Sequence, residues 1–180
     1  MQYDPTSIRT AIWEQLTAAA EDKTHPWRTV ALASSNLNGA ATVRSVILRE
    51  VDAANRQLVF YTDKRSAKCQ QVTVRPEGEL LFWHPALQWQ LRAVVDYQLL
   101  TNGPRVERLW QQLSTTSAAS DYLSEKAPGA ILLSPEVVES AVPNLAIMIA
   151  QVREFDWLAL SKQGHKRALL TADEFHWRVP

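Results

Sequence analysis

The first hydrophobic pattern along the chain is helical. Apolar side chains recur at intervals of three or four residues over residues 8–19, which places them on one face of a helix. Asp4-Pro5-Thr6 favours a helix start, with Thr6 or Ser7 as its cap. The helix is expected to fray near residues 22–24, before Pro26. Its predicted buried stripe consists of Ile8, Ile12, Leu16 and Ala19.

From Trp27 onward the hydrophobic period changes to two, which is typical of strands. Strands are predicted at residues 29–33, 41–49 and 57–61. The intervening segments, residues 36–39 and 52–55, are rich in Asn, Asp, Gly or Ala and favour turns. The three strands therefore form an antiparallel meander.

The rest of the chain alternates helical and strand patterns. Helices are predicted at residues 64–73 and 104–113, with another helical segment at 117–123; strands are predicted at residues 80–83, 89–100, 145–151, 154–160 and 167–171. Six or more strands with few helices favour a barrel, because closure removes exposed strand edges. We predict one domain over residues 1–180: a six-stranded antiparallel split β-barrel with flanking helices.

Composition argues against several classes of function. The chain has 180 residues and no formal net charge, which argues against a broad nucleic-acid-binding surface. No apolar run is long enough to predict a membrane span, and the single cysteine, Cys69, fits a reducing compartment. The four histidines are scattered, so no metal site is expected. A cytoplasmic protein is the simplest expectation.

Candidate chemistry lies on the second strand and at the start of the helix after the third. Arg44 interrupts an otherwise mainly apolar strand, where an unpaired charge would be costly. Ser66 and Lys68 lie at a predicted helix start, a place that binds anions well. With Thr62, these groups are sufficient to bind one phosphate dianion. The alternative is that Arg44, Arg49, Ser66 and Lys68 are solvated surface residues.

Other kinds of site are less well supported. The five glycines do not form a dinucleotide-binding fingerprint or a P-loop, and no hydrolase serine motif is present. Cys69 follows Lys68, so an activated thiol is one alternative, but a buried helical cysteine is the simpler interpretation. Most of the seven tryptophans are explained by packing, although Trp110 or Trp157 is a candidate to line a ring pocket.

The ordered motifs resemble the FMN-binding split-barrel family related to pyridoxine/pyridoxamine 5′-phosphate oxidase. Residues 44–49 match its Arg-x-Val-x-Leu-[Lys/Arg] strand, and residues 61–68 match its Tyr-Thr-x-x-x-Ser-x-Lys junction. Gln90 follows an aromatic-Pro turn, as in the family, and His165 with Arg167 resembles its His-x-Arg close. The resemblance is strong over residues 27–92 and weaker over residues 157–167.

This resemblance implies FMN as cofactor and a homodimer with the flavin at the subunit interface. It assigns the phosphate to Arg44, Ser66 and Lys68. Gln90 and Arg167 would reach the flavin bound mainly by the other subunit. Arg49 and His165 are the candidate catalytic residues, as an anion anchor and a proton donor on the substrate side. The ribityl chain and ring would be lined by Val46, Leu48, Tyr61 and Thr62.

The chain also departs from the vitamin B6 oxidases. Ala67 replaces their usual Arg, and Gln163 stands where their C-terminal motif begins with Arg. Trp110 and Ser114 occupy the positions of a Tyr and an Arg on their substrate-phosphate helix. The expected function is an FMN-dependent oxidoreductase with a different small-molecule substrate. A non-catalytic flavin-binding or storage protein, and a barrel-type ligand or protein-interaction domain, are the alternatives.

Overall fold

The computed structural model describes residues 4–136 and 138–180. Helix α1 (Pro5–Glu21) begins after Asp4, whose carboxylate accepts hydrogen bonds from the amides of Thr6 and Ser7 at 3.0 and 3.1 Å. The predicted cap at Thr6 or Ser7 is therefore wrong, because Asp4 satisfies both free amides of the first turn. The predicted apolar stripe of α1 is buried.

Eight strands and two further α-helices follow α1 in the described residues. The strands are β1 (Thr29–Ser35), β2 (Ala41–Asp52), β3 (Gln57–Asp63), β4 (Glu77–His84), β5 (Trp89–Leu100), β6 (Leu145–Ala159), β7 (Lys166–Leu170) and β8 (Phe175–Arg178). The helices are α2 (Ala67–Val74) and α3 (Pro104–Leu113), with short 3₁₀ helices at Pro26–Arg28 and Ser117–Tyr122. No helix within the described ranges is long and apolar enough to span a bilayer.

The strands form a closed antiparallel barrel. Their order is β3-β2-β1-β4-β5-β6, and β3 also pairs with β6, which closes the six-stranded ring. β7 and β8 extend the sheet beyond β6. The predicted six-stranded antiparallel split barrel with flanking helices is confirmed.

Besides shifts of one to three residues at strand ends, the elements differ from the predictions in three ways. The segments predicted at residues 145–151 and 154–160 are one strand, β6, because a register shift against β5 interrupts the alternation without ending the strand. β8 was not predicted. Helix α2 begins at Ala67 instead of residue 64, because the Asp63 carboxylate accepts the Arg65 amide at 2.8 Å and forms a turn there.

The barrel has a filled interior and two different outer surfaces. The interior contains the buried face of α1 together with large side chains such as Trp27, Phe60 and Trp157, all at most 1% exposed. Outside β3 and β6, α3 covers a second apolar cluster that contains Tyr122.

The other outer surface is uncovered. We define the open face as the outward-facing residues of β2, β1, β4, β5, β6 and β7. Its central row, given by strand register, is Ser45, Ala31, Leu81, Arg92, Asp156 and Leu169. Apolar side chains on this face remain exposed: Val43 (67%), Ile47 (36%), Leu81 (42%) and Trp83 (43%).

Candidate cofactor site

Arg44 lies at the centre of a polar network beneath α2. Its guanidinium donates to Ser34 Oγ at 2.7 Å, Thr42 Oγ1 at 2.7 Å and Gln71 Oε1 at 2.9 Å, and to the Leu32 carbonyl at 3.3 Å. All four acceptors are neutral. Burial lowers the pKa of Arg44, and arginine nevertheless remains charged. The network thus fixes the orientation of the cation without neutralising it.

Lys68 supplies a second cation next to Arg44. It lies in the first turn of α2 and is half-buried. Burial lowers the pKa of Lys68, and the positive charge of Arg44 lowers it further. None of the ion pairs among the described residues involves Arg44 or Lys68. An anion bound between them would offset both the desolvation and the mutual repulsion.

Two buried hydroxyls complete this region. The Oγ1 of Thr62 and the Oγ of Ser66 are 3.4 Å apart, and Ser66 occupies the N-cap position of α2 without a side-chain capping bond. Thr62, Ser66 and Lys68 therefore lie together at the start of α2, as the sequence predicted, and Arg44 contacts the same helix through Gln71. Such a start offers free amides and a favourable dipole to a phosphate.

Three supporting residues were not identified from the sequence. Ser34 lies opposite Thr42 in the β1–β2 register, and Thr42 precedes Arg44 by two positions on the same strand face. Gln71 follows Lys68 by about one helical turn and is 8% exposed. The spacing of Thr42 and Gln71 is visible in the sequence, but their meeting at Arg44 depends on the packing of α2 against β1.

Cys69 is part of the same turn but is not an activated thiol. It is 2% exposed, accepts from Ser66 Oγ at 3.3 Å and donates to the Asp63 carbonyl at 3.3 Å. Burial raises the pKa of the Cys69 thiol, an effect larger than the opposing influence of Lys68. The interpretation of Cys69 as a buried packing residue is supported.

Arg49 and Tyr61 lie on the other side of the sheet from Arg44. The guanidinium carbon of Arg49 is 5.7 Å from the Tyr61 ring centroid, and the buried Nε of Arg49 has no hydrogen-bond partner among the described residues. The Tyr61 hydroxyl donates to Glu50 Oε1 at 2.5 Å. Burial, reinforced by this bond, raises the pKa of Tyr61. Arg49 therefore lies beside an aromatic surface with its Nε enclosed by the protein.

The predicted apolar lining is only partly supported. Leu48 is 0% exposed inside the barrel, since strand alternation turns its side chain inward. Leu48 as a whole is therefore enclosed in the chain, and the structure does not support it as a residue that lines the cofactor site. Val46 is half-buried against the interior cluster. Trp157 is also 0% exposed, which excludes it as a ring-pocket residue, whereas Trp110 is half-buried on α3.

Gln90 and Arg167 lie on the open face, separated by one strand. Gln90 is opposite Leu158, and Leu158 is opposite Arg167, so the three side chains share this face. Arg167 makes a two-pronged ion pair with Asp156, at 2.9 Å from Nε and 2.6 Å from Nη2. Arg44 points to the opposite side of the sheet. The predicted cofactor residues thus form two sets facing different directions.

His165 lies in the exposed turn between β6 and β7. Its Nδ1 accepts a hydrogen bond from the Ser161 amide at 3.1 Å. In the neutral ring this assigns the proton to Nε2. His165 and Arg167 border a concavity of about 330 Å³ that also contains Trp177 and Arg178.

Sequence comparison identifies the family. The chain matches the model described as "Pyridoxamine 5′-phosphate oxidase, FMN-binding domain" over residues 10–100, about half of its length. The chain belongs to this family, and the predicted resemblance is confirmed.

Curated relatives carry the name pyridoxine/pyridoxamine 5′-phosphate oxidase. The protein from Chromohalobacter salexigens is 31% identical over 121 residues, which cover 61% of this chain and 55% of that protein. The protein from Synechocystis is 40% identical over 81 residues, covering 45% of this chain and 36% of that protein. The matches therefore span about half or less of these relatives.

Solved structures share the fold over the whole chain. An FMN-binding protein related to pyridoxamine 5′-phosphate oxidase, from Nostoc punctiforme, has a TM-score of 0.78 and 22% identity, with complete coverage of both chains. PhzG from Burkholderia lata, solved with tetrahydrophenazine-1-carboxylic acid, has a TM-score of 0.78 and 19% identity, covering 98% of this chain and 95% of its own. At this identity the similarity establishes the fold.

Proposed function

We propose that this protein binds FMN, with the phosphate held by Arg44, Ser66 and Lys68. The observation that carries the proposal is a pair of half-buried cations, Arg44 and Lys68, without a carboxylate partner among the described residues. A phosphate dianion has the charge and the acceptor oxygens that this pair and the α2 start require. Tyr61, Thr62 and Val46 would contact the ribityl chain and ring, whereas Leu48 is enclosed and would not.

We further propose a homodimer in which each flavin is held by two chains. Gln90 and Arg167 face away from Arg44 within one chain, so a second copy is needed for both sets to contact one cofactor. The open face offers Val43, Ile47, Leu81 and Trp83 as exposed apolar groups for an isologous contact. We expect this contact to be of the obligate homodimer class, which buries more than roughly 2,000 Å² of accessible surface.

The expected activity is that of an oxidoreductase. Bound FMN would supply the hydride or electron transfer, while the protein binds and orients both partners. The partly exposed guanidinium of Arg49, beside Tyr61, is the candidate anchor for an anionic group of the substrate. His165, with its Nε2 proton available, is the candidate proton donor. We also expect the protein to act in the cytoplasm.

The main alternative is a flavin-binding or storage protein without a substrate. It is favoured by the departures from the oxidases at Ala67, Ser114 and Gln163, which leave the phosphate site intact. The two proposals are distinguished by anaerobic bleaching of the bound flavin. Bleaching by NAD(P)H, or by a hydrogenated heterocyclic carboxylate such as the PhzG ligand, which would lose two electrons to the flavin, supports an oxidoreductase; no bleaching by any tested donor supports storage. A purified protein that neither contains nor takes up a yellow flavin would instead indicate the third alternative, a barrel-type interaction domain.

The vitamin B6 phosphates are expected to be poor substrates. Ser114 is an exposed hydroxyl at the end of α3, and Gln163 is an exposed amide in the β6–β7 turn. Neither supplies the cation that the oxidases use at the matching positions. We predict negligible oxidation of pyridoxine or pyridoxamine 5′-phosphate by the FMN-loaded protein in a steady-state assay, with a true oxidase from the family as positive control. Turnover comparable to that control would contradict the assignment and would point to Arg49 as the phosphate anchor.

A further inference from the structure

A chain of ion pairs crosses the open face on the neighbouring strands β4, β5, β6 and β7. Its members, Glu79, Arg92, Asp156 and Arg167, all point outward by strand register. Arg92 Nη2 donates to both carboxylate oxygens of Glu79 at 2.8 Å, and Arg92 Nη1 lies 3.5 Å from Asp156 Oδ2. Since Asp156 also accepts from Arg167, this carboxylate lies between two arginines.

Asp156 holds one edge of the Arg167 guanidinium. The Asp156 side chain is 12% exposed, and its two oxygens accept from Nε and Nη2 of Arg167 at 2.9 and 2.6 Å. Two parallel bonds fix the plane of a guanidinium, which one bond does not. Nη1 of Arg167 has no hydrogen-bond partner among the described residues. Arg167 therefore keeps a donor for a ligand while its orientation is fixed.

The surroundings of Arg167 would not hold it in place without Asp156. Arg178 lies directly opposite Arg167 on β8, and like charges at opposed strand positions repel. A long side chain also loses conformational entropy when it is fixed. Both arginines border a concavity of about 490 Å³ that also contains Asp156. A ligand group in this concavity would meet an Arg167 that Asp156 has already oriented.

We infer that Asp156 is a positioning residue, which holds Arg167 in the orientation that contacts the flavin bound mainly by the partner subunit. This inference rests on the proposed function. Because the phosphate is assigned to Arg44 and the start of α2, Arg167 is left to contact the ribityl chain or the ring. The effect of Asp156 should therefore extend to riboflavin, which has no phosphate.

Charge alone predicts the opposite effect of removing Asp156. FMN is an anion, so the loss of a carboxylate on the face that meets it would raise the affinity for FMN. The loss of a fixed orientation of Arg167 would instead lower the affinity for FMN and riboflavin alike. The direction of the change in Asp156→Asn therefore separates the two effects.

The test compares the unaltered chain with Asp156→Asn, Arg167→Gln, Arg167→Lys and the control Glu154→Gln. Glu154 lies two positions before Asp156 on the same face of β6, and no ion pair among the described residues involves it. The control thus removes the same charge without releasing Arg167. Affinities for FMN and riboflavin are measured by flavin fluorescence at concentrations where each variant sediments as a dimer, with thermal unfolding recorded for each apoprotein.

We expect Asp156→Asn to weaken the binding of FMN and of riboflavin by about tenfold each, the low end for a hydrogen bond to a charged group. Arg167→Gln should weaken both at least as much, because it removes the donor itself. Arg167→Lys should resemble Asp156→Asn, since an ammonium group cannot form the two-pronged pair. Glu154→Gln should leave both affinities equal or slightly higher. The visible absorption bands of the bound flavin should shift in Asp156→Asn, which a merely structural role would not produce.

Unchanged or higher FMN affinity in Asp156→Asn would overturn the inference, and so would a loss confined to FMN. If Asp156→Asn fails to fold, Arg167→Lys decides, because full affinity in that variant would show that the flavin requires the charge and not its held orientation. A dimeric Arg167→Gln that binds both flavins as tightly as the unaltered chain would instead overturn the proposed contact of Arg167 with the flavin. An unaltered chain that binds no FMN would overturn the proposed function itself.

Discussion

Replacing Lys68 with alanine should weaken FMN binding by about 2–3 kcal/mol, the range for hydrogen bonds to charged groups, or about 30- to 140-fold in affinity. Lys68 is half-buried beside Arg44, and its charge has no carboxylate partner among the described residues. Replacing Lys68 therefore removes a partly desolvated cation that is available to bind an anion. Titration of the apoprotein with FMN and with riboflavin measures the effect, and riboflavin binding should change little.

Lys64→Ala is the matched control, because Lys64 lies in the preceding turn and is exposed. It should retain the FMN affinity of the unaltered chain. Arg44→Ala should reduce FMN affinity as well, but it also leaves Ser34, Thr42 and Gln71 without their shared donor and should lower the stability. Lys68→Ala is therefore the cleaner test. An equal loss of FMN and riboflavin affinity in Lys68→Ala would contradict a phosphate-binding role.

A charge on the open face should separate the subunits and release the flavin. Val43 is 67% exposed in the single chain, so Val43→Arg should cost an isolated subunit little. In the proposed dimer the introduced charge would be buried, at a cost of several kcal/mol. We expect the dimer dissociation constant to rise by about two orders of magnitude or more, with parallel loss of FMN through linkage. Sedimentation velocity measures the dissociation of the dimer, and flavin fluorescence measures the release of FMN.

Val74→Arg is the control for this experiment. Val74 is 61% exposed at the C-terminal end of α2, away from the open face, and receives the same charge. It should remain dimeric and retain its FMN. If Val43→Arg also remains a flavin-loaded dimer, the open face is not the subunit contact.

Most of the barrel could be predicted, because its strands and turns are marked by short stretches of the sequence. Strands β1 to β3 are short apolar segments separated by turn residues, so their pairing follows from short connections. The continuity of β6 could not be recognised in the same way, because a bulge shifts the alternation without ending the strand. β8 is a four-residue edge strand with mostly exposed side chains, which leaves little hydrophobic signal.

Residues of the candidate cofactor site could be predicted where a charged side chain interrupts the hydrophobic pattern around it. Arg44 stands out in an apolar strand, and Lys68 stands out at a helix start. The partners Ser34 and Gln71 could not be assigned, because they meet Arg44 only when α2 packs against β1. The contacts of Arg65 were hidden for the same reason, since its carbonyl acceptors in residues 124–126 are far away in sequence. For Leu48 the motif gave a position without a side-chain direction, and strand alternation turns that side chain into the interior.

The central claim is that one FMN is bound between two copies of this chain. Sedimentation of the FMN-loaded protein across a dilution series, monitored in both the protein and the flavin absorption bands, tests it most directly. The account predicts that flavin sediments only with the dimer, and that dilution to monomer releases it. A monomer that sediments with its full complement of flavin would contradict the account, because the pocket would then be built by one chain.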